Sequence, residues 1–368
     1  MNATQKSIKP RTLHLDGIRG VAALSVALFH FCRSFDNSLI SGNNVINQSF
    51  LSAIWNGHFA VALFFVLSGF LFFDKFRSET FISGAKASVK RFLRLSIPIF
   101  TVCLTAYAIH KMGLFSNQRA ASISASDWLA RWYTFDPSFA LALFESVWID
   151  FVAFDPSYTY NSNLWTISYE LFAVVGVIFL AITSKKMRFA YRMIMILLVS
   201  AICYGTHYYE FFIGAALALA FSRKEINLPS LISIPAVIAA LSISPLFLPA
   251  YLSGLASDLF YPVGAVLLIA AVSSNGALRR AFSNKIFLKL GELSFGLYLT
   301  HFITINSIAS SVYIATQSVL LTFICYILST LAMSYGFNHL VDQPWTKLLN
   351  HLFRKRHIDA QQALNLEV

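Results

Sequence analysis

The sequence is short of charge. Of its 368 residues only 12% are Asp, Glu, Lys or Arg, about half the share of roughly 25% in a soluble domain. That shortage excludes an ordinary cytosolic enzyme. Combined with 57% hydrophobic residues, it also excludes disorder, which needs low hydrophobicity and high charge. Cysteine is scarce and scattered. Cys32, Cys103, Cys203 and Cys325 form no CxxC pair and no metal-ligand spacing, so they read as plain membrane-core residues and no metal site is expected. No cleavable leader is expected, because the first apolar run carries Asp16, Arg19 and His30 and makes a poor leader core. No internal repeat stands out, and no soluble domain is expected at either end.

What remains is apolar length. Mean hydropathy is +0.64, and runs of spanning length lie near residues 14–34, 54–73, 94–111, 163–183, 190–206, 208–222, 230–249, 258–274, 288–309 and 316–340. The pattern predicts an all-α polytopic membrane protein of about ten transmembrane helices. The fifth and sixth runs nearly fuse around Gly205-Thr206-His207 and read as a tight helical hairpin or one long helix. Residues 139–154 carry Glu145 and Asp150 and read as a re-entrant or interfacial segment. Residues 1–350 form the transmembrane domain, with 112–162 as an extracytoplasmic loop region, and 351–368 a basic cytoplasmic tail. Trp55, Trp128, Trp132, Trp148 and Trp165 fall in or beside outer segments, where interfacial tryptophans belong.

The net charge of +11 follows from topology. With ten spans both termini share a side. That side collects Lys6, Lys9, Arg11 and Arg19, the group from Lys75 to Arg94, Lys185 to Arg192, Arg223 and Lys224, Arg279 to Lys289, and Lys347 to Arg356. The other side holds Arg33, Lys111, Arg119 and Arg131. This is the positive-inside pattern. It places both termini in the cytoplasm and explains most of the basic excess without nucleic acid.

Ionisable residues inside spans mark candidate sites. In the first span, Asp16 and Arg19 lie near the inner face, and His30 follows Arg19 by eleven residues. That is almost three helical turns, so the two share a face about 16 Å apart along the axis. His30 reads either as a functional group or as a neutral core histidine. Arg91 and Arg94 share a face at the inner end of the third span and suit phosphate binding; the other reading is boundary snorkelling. Glu170, after Trp165 and Tyr169 in LWTISYE, reads as the partner of an Arg or His, or as the group orienting a catalytic His or a hydroxyl acceptor. His301 in GLYLTH should lie at a depth similar to His30. In FFVLSGFL, Ser68 and Gly69 permit close helix approach.

With these residues the chain resembles the acyltransferase-3 family of integral membrane acyltransferases that modify surface carbohydrates. Five segments carry the resemblance in order: LDGIRG with His30 eleven residues after its Arg, FFVLSGFL, RFLRLSIP, LWTISYELF and GELSFGLYLTH. One departure is Asp342-Gln343-Pro344, where many members carry Glu-x-Pro.

The resemblance implies a stand-alone enzyme of the bacterial cytoplasmic membrane. It would move an acyl group, usually acetyl, from cytoplasmic acyl-CoA to a hydroxyl of a carbohydrate on the outer side. It implies no permanently bound cofactor, acetyl-CoA being a donor substrate. By position, His30 matches the family's essential histidine, Arg19 the arginine of the same helix, Arg91 and Arg94 the pair associated with the donor, and Glu170 the acid of the Trp-x-x-x-x-Glu element. The expected site is therefore His30, Glu170 and Asp16 as catalytic groups, Arg19, Arg91 and Arg94 at the donor, and Trp165, Tyr169 and His301 at the acceptor. His30 acts as general base or forms an acyl-histidine. Two other classes stay open: a secondary transporter using His30, Arg19 and Glu170, and a structural subunit of a polysaccharide assembly complex.

Overall fold

The computed structural model describes residues 13–38, 49–223, 226–242 and 256–366. Lys6, Lys9, Arg11 and Lys224, which entered the charge count, lie outside the described residues, as does the end of the 230–249 run. Among the described residues the regular structure is all helical, with no strand.

The helices are α1 Leu13–Phe35, α2 Gly57–Phe76, α3 Phe81–Lys111, α4 Asn117–Ser124, α5 Phe139–Phe144, α6 Trp165–Thr183, α7 Phe189–Ile202 and α8 Tyr208–Phe221. They continue with α9 Ser230–Ser242, α10 Tyr261–Ser274, α11 Gly276–Phe282, α12 Lys285–Thr304, α13 Val319–Phe337 and α14 Gln343–Leu366. Polar caps fix several starts by accepting an orphan backbone N–H: Asn56 from Phe59, Thr80 from Ser83, and Asn284 from Ile286 and Phe287.

Six helical stretches are long and apolar enough to cross a bilayer: Leu13–Phe35, Gly57–Phe76, Phe81–Lys111, Ser162–Lys186, Lys285–Thr316 and Val319–Arg354. A seventh candidate is broken by a 104° bend between Ser274 and Gly276. The sequence pattern counted about ten. The difference lies in α7 and α8, which have 14 residues each, and in α9, of which 13 residues are described. Fourteen residues rise about 21 Å, short of a hydrocarbon core of about 30 Å. Of the two readings of the fifth and sixth runs, two separate helices in contact are observed. The bundle's outer faces carry exposed Ile194, Leu198, Ile202, Leu231, Leu320 and Leu328, a surface made for lipid and not for water. The chain is a multi-pass membrane protein.

Packing centres on two close crossings. α1 lies against α12, and a Cβ added at Gly20 would strike the Gly291 backbone while one at Gly291 would strike the Asp16 carbonyl. α2 lies against α8 in the same way, with Gly69 on the Phe211 carbonyl and Gly214 on the Val66 carbonyl. Small residues let backbones touch and gain dispersion contacts that lipid cannot replace. α2 also packs on α1, α6 and α10, and α12 on α13. Arg19 thus sits beside the close α1–α12 crossing.

Residues 112–162 form a packed cap. Leu129, Tyr160 and Ala142 are fully buried. The Asn117 amide donates to the Leu129 and Trp132 carbonyls, the Ser126 hydroxyl to the Arg33 carbonyl at 2.6 Å, and the Tyr133 hydroxyl to the Tyr160 carbonyl at 2.8 Å. Trp128 and Trp132 are buried by this packing. The cap therefore closes the end of α1 that carries His30, away from Arg19.

Candidate active site

The bundle contains a cavity of about 670 Å³ bounded by α1, α2, α3, α6 and α12. Asp16 and Arg19 enter it from α1, Ser68, Phe72 and Lys75 from α2, Arg91 and Arg94 from α3, Thr166 and Glu170 from α6, Glu292 and Tyr298 from α12, and Asp342 from the turn before α14. Spacing alone put Arg19, Arg91 and Arg94 at one end; the fold brings them into one wall.

Each arginine meets a carboxylate. Arg19 pairs with Asp16 at 3.1 Å and Arg91 with Glu170. Arg94 donates from Nη2 to Oδ2 of Asp342 at 2.8 Å, its Nη1 lying 2.5 Å from Oδ1. All six side chains keep some solvent exposure. Asp342 is turned toward Arg94 by a π-turn, Asn338–Asp342. The Trp345 indole donates to the Leu93 carbonyl at 2.6 Å and holds the start of α14 beside the arginine pair. Glu170 and Asp16, expected as catalytic groups, therefore lie among the arginines.

The cavity ends at Tyr298 and Thr166. The Tyr298 hydroxyl donates to the Asn163 carbonyl at 2.6 Å and lies 2.8 Å from the Thr166 hydroxyl. Behind this polar layer sits a histidine pair. His30 Nδ1 is 2.9 Å from His301 Nε2, with the rings stacked at 5.2 Å. His301 is fully buried. Its Nδ1 is 2.8 Å from the Leu297 carbonyl, and the Asn163 amide reaches its Nε2 at 3.3 Å.

These bonds fix the protons. A carbonyl only accepts, so His301 Nδ1 carries a hydrogen and its Nε2 presents a lone pair. His30 Nδ1 then donates to that lone pair, leaving His30 Nε2 unprotonated in the neutral ring. Trp128 stacks on the other face of His30 at 4.9 Å, and Arg33 lies over Trp128 and Phe29. The imidazole is clamped in orientation while His30 itself is only half-buried.

Trp165 and Tyr169 go elsewhere. They pack around His207, with ring centroids at 4.9 and 5.1 Å, against Phe65 and Tyr208. Neither borders the cavity. Sequence reasoning did not select Asn163, Thr166, Tyr298 or Trp128. Asn163 and Thr166 lie in the NLWTISYE segment and Tyr298 in GLYLTH, so the motifs held them, but nothing in their spacing showed that they face one another.

The sequence matches the family model described as an acyltransferase domain over residues 13–339. No curated protein and no solved structure matches it.

Proposed function

From the premise that this chain belongs to the acyltransferase-3 family, we propose that it transfers an acyl group, acetyl in the first instance, from acyl-CoA to a hydroxyl of an extracytoplasmic carbohydrate. The observation that carries this reading is the order of parts along one axis. An arginine-lined cavity leads to a thin polar layer, and a histidine with a defined basic nitrogen lies behind it.

The donor end faces the cytoplasm in this reading, both termini lie there, and the membrane is the bacterial cytoplasmic one. Acyl-CoA is a substrate and not a resident cofactor. Its phosphates are met by Arg19, Arg91 and Arg94 through charge-assisted, partly bidentate bonds. Because each arginine already holds a carboxylate, donor binding proceeds by exchange: Asp16, Glu170 and Asp342 release or share their partners as phosphate arrives. The pantetheine arm then runs up the apolar wall of Phe64, Phe72 and Phe295 toward Tyr298.

The acceptor approaches His30 from the capped end. His30 Nε2 removes the proton of the sugar hydroxyl as its oxygen attacks the thioester carbonyl. The tetrahedral intermediate collapses with cleavage of the carbon–sulfur bond, and the CoA thiolate leaves and takes up the proton. His301 keeps His30 in the reactive tautomer and receives part of the positive charge that His30 gains. For the thioester to reach His30, the Tyr298–Thr166 layer has to part. An acyl-histidine route uses the same nitrogen as nucleophile.

The test is transfer of radiolabelled acetyl from acetyl-CoA in membranes containing the wild-type chain or His30→Ala, read with mass spectrometry of surface glycans. Label in glycan that disappears with His30→Ala supports the reading. Solute uptake dependent on His30 without any acylation would favour a transporter, and full activity without His30 would remove its catalytic role.

A further inference from the structure

The acyl-transfer reading leaves unused a second buried cluster, between the cap and α3. Glu145 and Asp150, at the two ends of a π-turn in the cap, meet Cys103 of α3. All three are fully buried, and one ligand atom from each lies within 4.8 Å of the others.

The backbone is shaped to make this cluster. Five residues along an α-helix lie about 140° apart around the axis, which would send Glu145 and Asp150 to different sides. Here the Asp150 N–H bonds to the Glu145 carbonyl, the five-residue closure of a π-turn, a feature frequent at functional sites. It brings the two acids to the same side, facing Cys103.

Their hydrogen bonds are uneven. Glu145 is held by the Thr159 hydroxyl at 2.6 Å and by the Tyr160 N–H at 2.8 and 2.9 Å. Asp150 Oδ2 is 3.5 Å from the Cys103 sulfur. Asp150 Oδ1 is buried with no hydrogen-bond partner. Two acids placed together without a cation are costly, and a half-satisfied buried acid costs more.

We propose that Cys103, Glu145 and Asp150 bind a zinc-class divalent cation that clamps the cap to α3. The donor set of one sulfur and two carboxylates suits zinc, whereas calcium and magnesium take oxygen ligands. The spacing also suits it: a tetrahedral ion with bonds of about 2.3 Å to sulfur and about 2.1 Å to oxygen sets those atoms about 3.6 Å apart, against 3.5 Å for Cys103 Sγ and Asp150 Oδ2. Binding releases the thiol proton and gives Asp150 Oδ1 a role as second ligand or as partner of a bound water. The consequence reaches the histidine pair, because Glu145 holds the Thr159 hydroxyl and the Tyr160 N–H, Asn161 next in the chain bonds the Leu299 carbonyl, and Asn163 touches His301.

The test uses the full chain purified in detergent without a polyhistidine tag from zinc-supplemented cells. Metal analysis by plasma mass spectrometry should give stoichiometric zinc in the wild type and a more than tenfold loss in Cys103→Ala and in the near-isosteric Asp150→Asn. Cobalt exchanged into the wild type should show a thiolate-to-cobalt charge-transfer band, a reading that does not depend on any variant folding. Absence of stoichiometric metal, its retention in both variants, or a cobalt protein lacking the thiolate band would overturn the proposal. The cluster would then be a thiol donating to a carboxylate beside a protonated acid.

Discussion

The two ends of the proposed reaction path are built on opposite principles. At the arginine end the groups are charged, paired one cation to one carboxylate, and partly wetted. At the histidine end His30 and His301 join a neutral hydrogen-bonded array among aromatic rings, closed over by the cap. Partly exposed ion pairs are worth little and exchange readily, which suits a surface that has to give up its partners to an arriving polyanion. An array whose acceptors are all met, His301 Nε2 by both His30 Nδ1 and the Asn163 amide, favours a single arrangement, which in the proposed mechanism suits a base whose tautomer must not change. One end is made to rearrange and the other to stay fixed.

The sharpest way to break this contrast is at the histidine end. His30→Ala should cost about 10²- to 10⁴-fold in acyl transfer, the range for loss of a general base, with donor affinity and membrane folding kept. The readout is acetyl transfer at saturating acetyl-CoA. If donor affinity falls instead, His30 belongs to the binding end and the division fails.

His301 provides the second test. In the proposed mechanism it holds a proton on His30 Nδ1, so His301→Ala should lower kcat by roughly 10²-fold, at the lower end of that range, with KM for acyl-CoA unchanged. His301→Gln keeps an acceptor within reach of His30 Nδ1 and should recover part of the loss. Equal defects in both variants would mean that His301 only fills space.

The arginine end should respond in the other parameter. Arg91→Ala and Arg94→Ala each remove a charge-assisted contact worth about 1.5–3 kcal/mol, so KM for acyl-CoA should rise by about 10- to 100-fold with a smaller effect on kcat. Lysine should restore little if the contact is bidentate. Unchanged KM in both would reduce the pair to boundary residues.

How much of this was legible in the sequence follows the same division. Arg19 and His30 share one helix, and Arg91 and Arg94 another, so periodicity alone placed them. The apolar runs gave the all-helical membrane fold, although α7 and α8 were too short to count as spans on length alone. Pairings between distant segments were not legible. His30 and His301 are 271 positions apart, Arg94 and Asp342 are 248 apart, and Cys103 and Asp150 meet only because the cap folds back on α3. Spacing therefore read Cys103 as core and left Glu170 open between several partners, and the tertiary fold gave it Arg91.

Between the two ends lies the Tyr298–Thr166 layer that the proposed transfer needs to part, and its effect should be smaller. Tyr298→Phe removes a hydroxyl that bonds the Asn163 carbonyl and Thr166, a net loss of about 0.5–1.5 kcal/mol per hydrogen bond. Thermal unfolding should shift down slightly, while acyl transfer should hold or rise because the layer parts more easily. A large fall in kcat would assign the hydroxyl to the chemistry.

The smallest effect belongs to the aromatic residues that the sequence grouped with the acceptor. Trp165 and Tyr169 surround His207 and reach neither the cavity nor the histidine pair. Trp165→Phe and Tyr169→Phe keep the ring packing, so acyl transfer should stay within about twofold, a change worth less than about 0.5 kcal/mol. The measurement is the acceptor dependence of the rate at fixed acetyl-CoA. A tenfold rise in acceptor KM in either variant would make the box around His207 part of the acceptor's route, and the fixed end of the molecule would then extend beyond the His30–His301 pair.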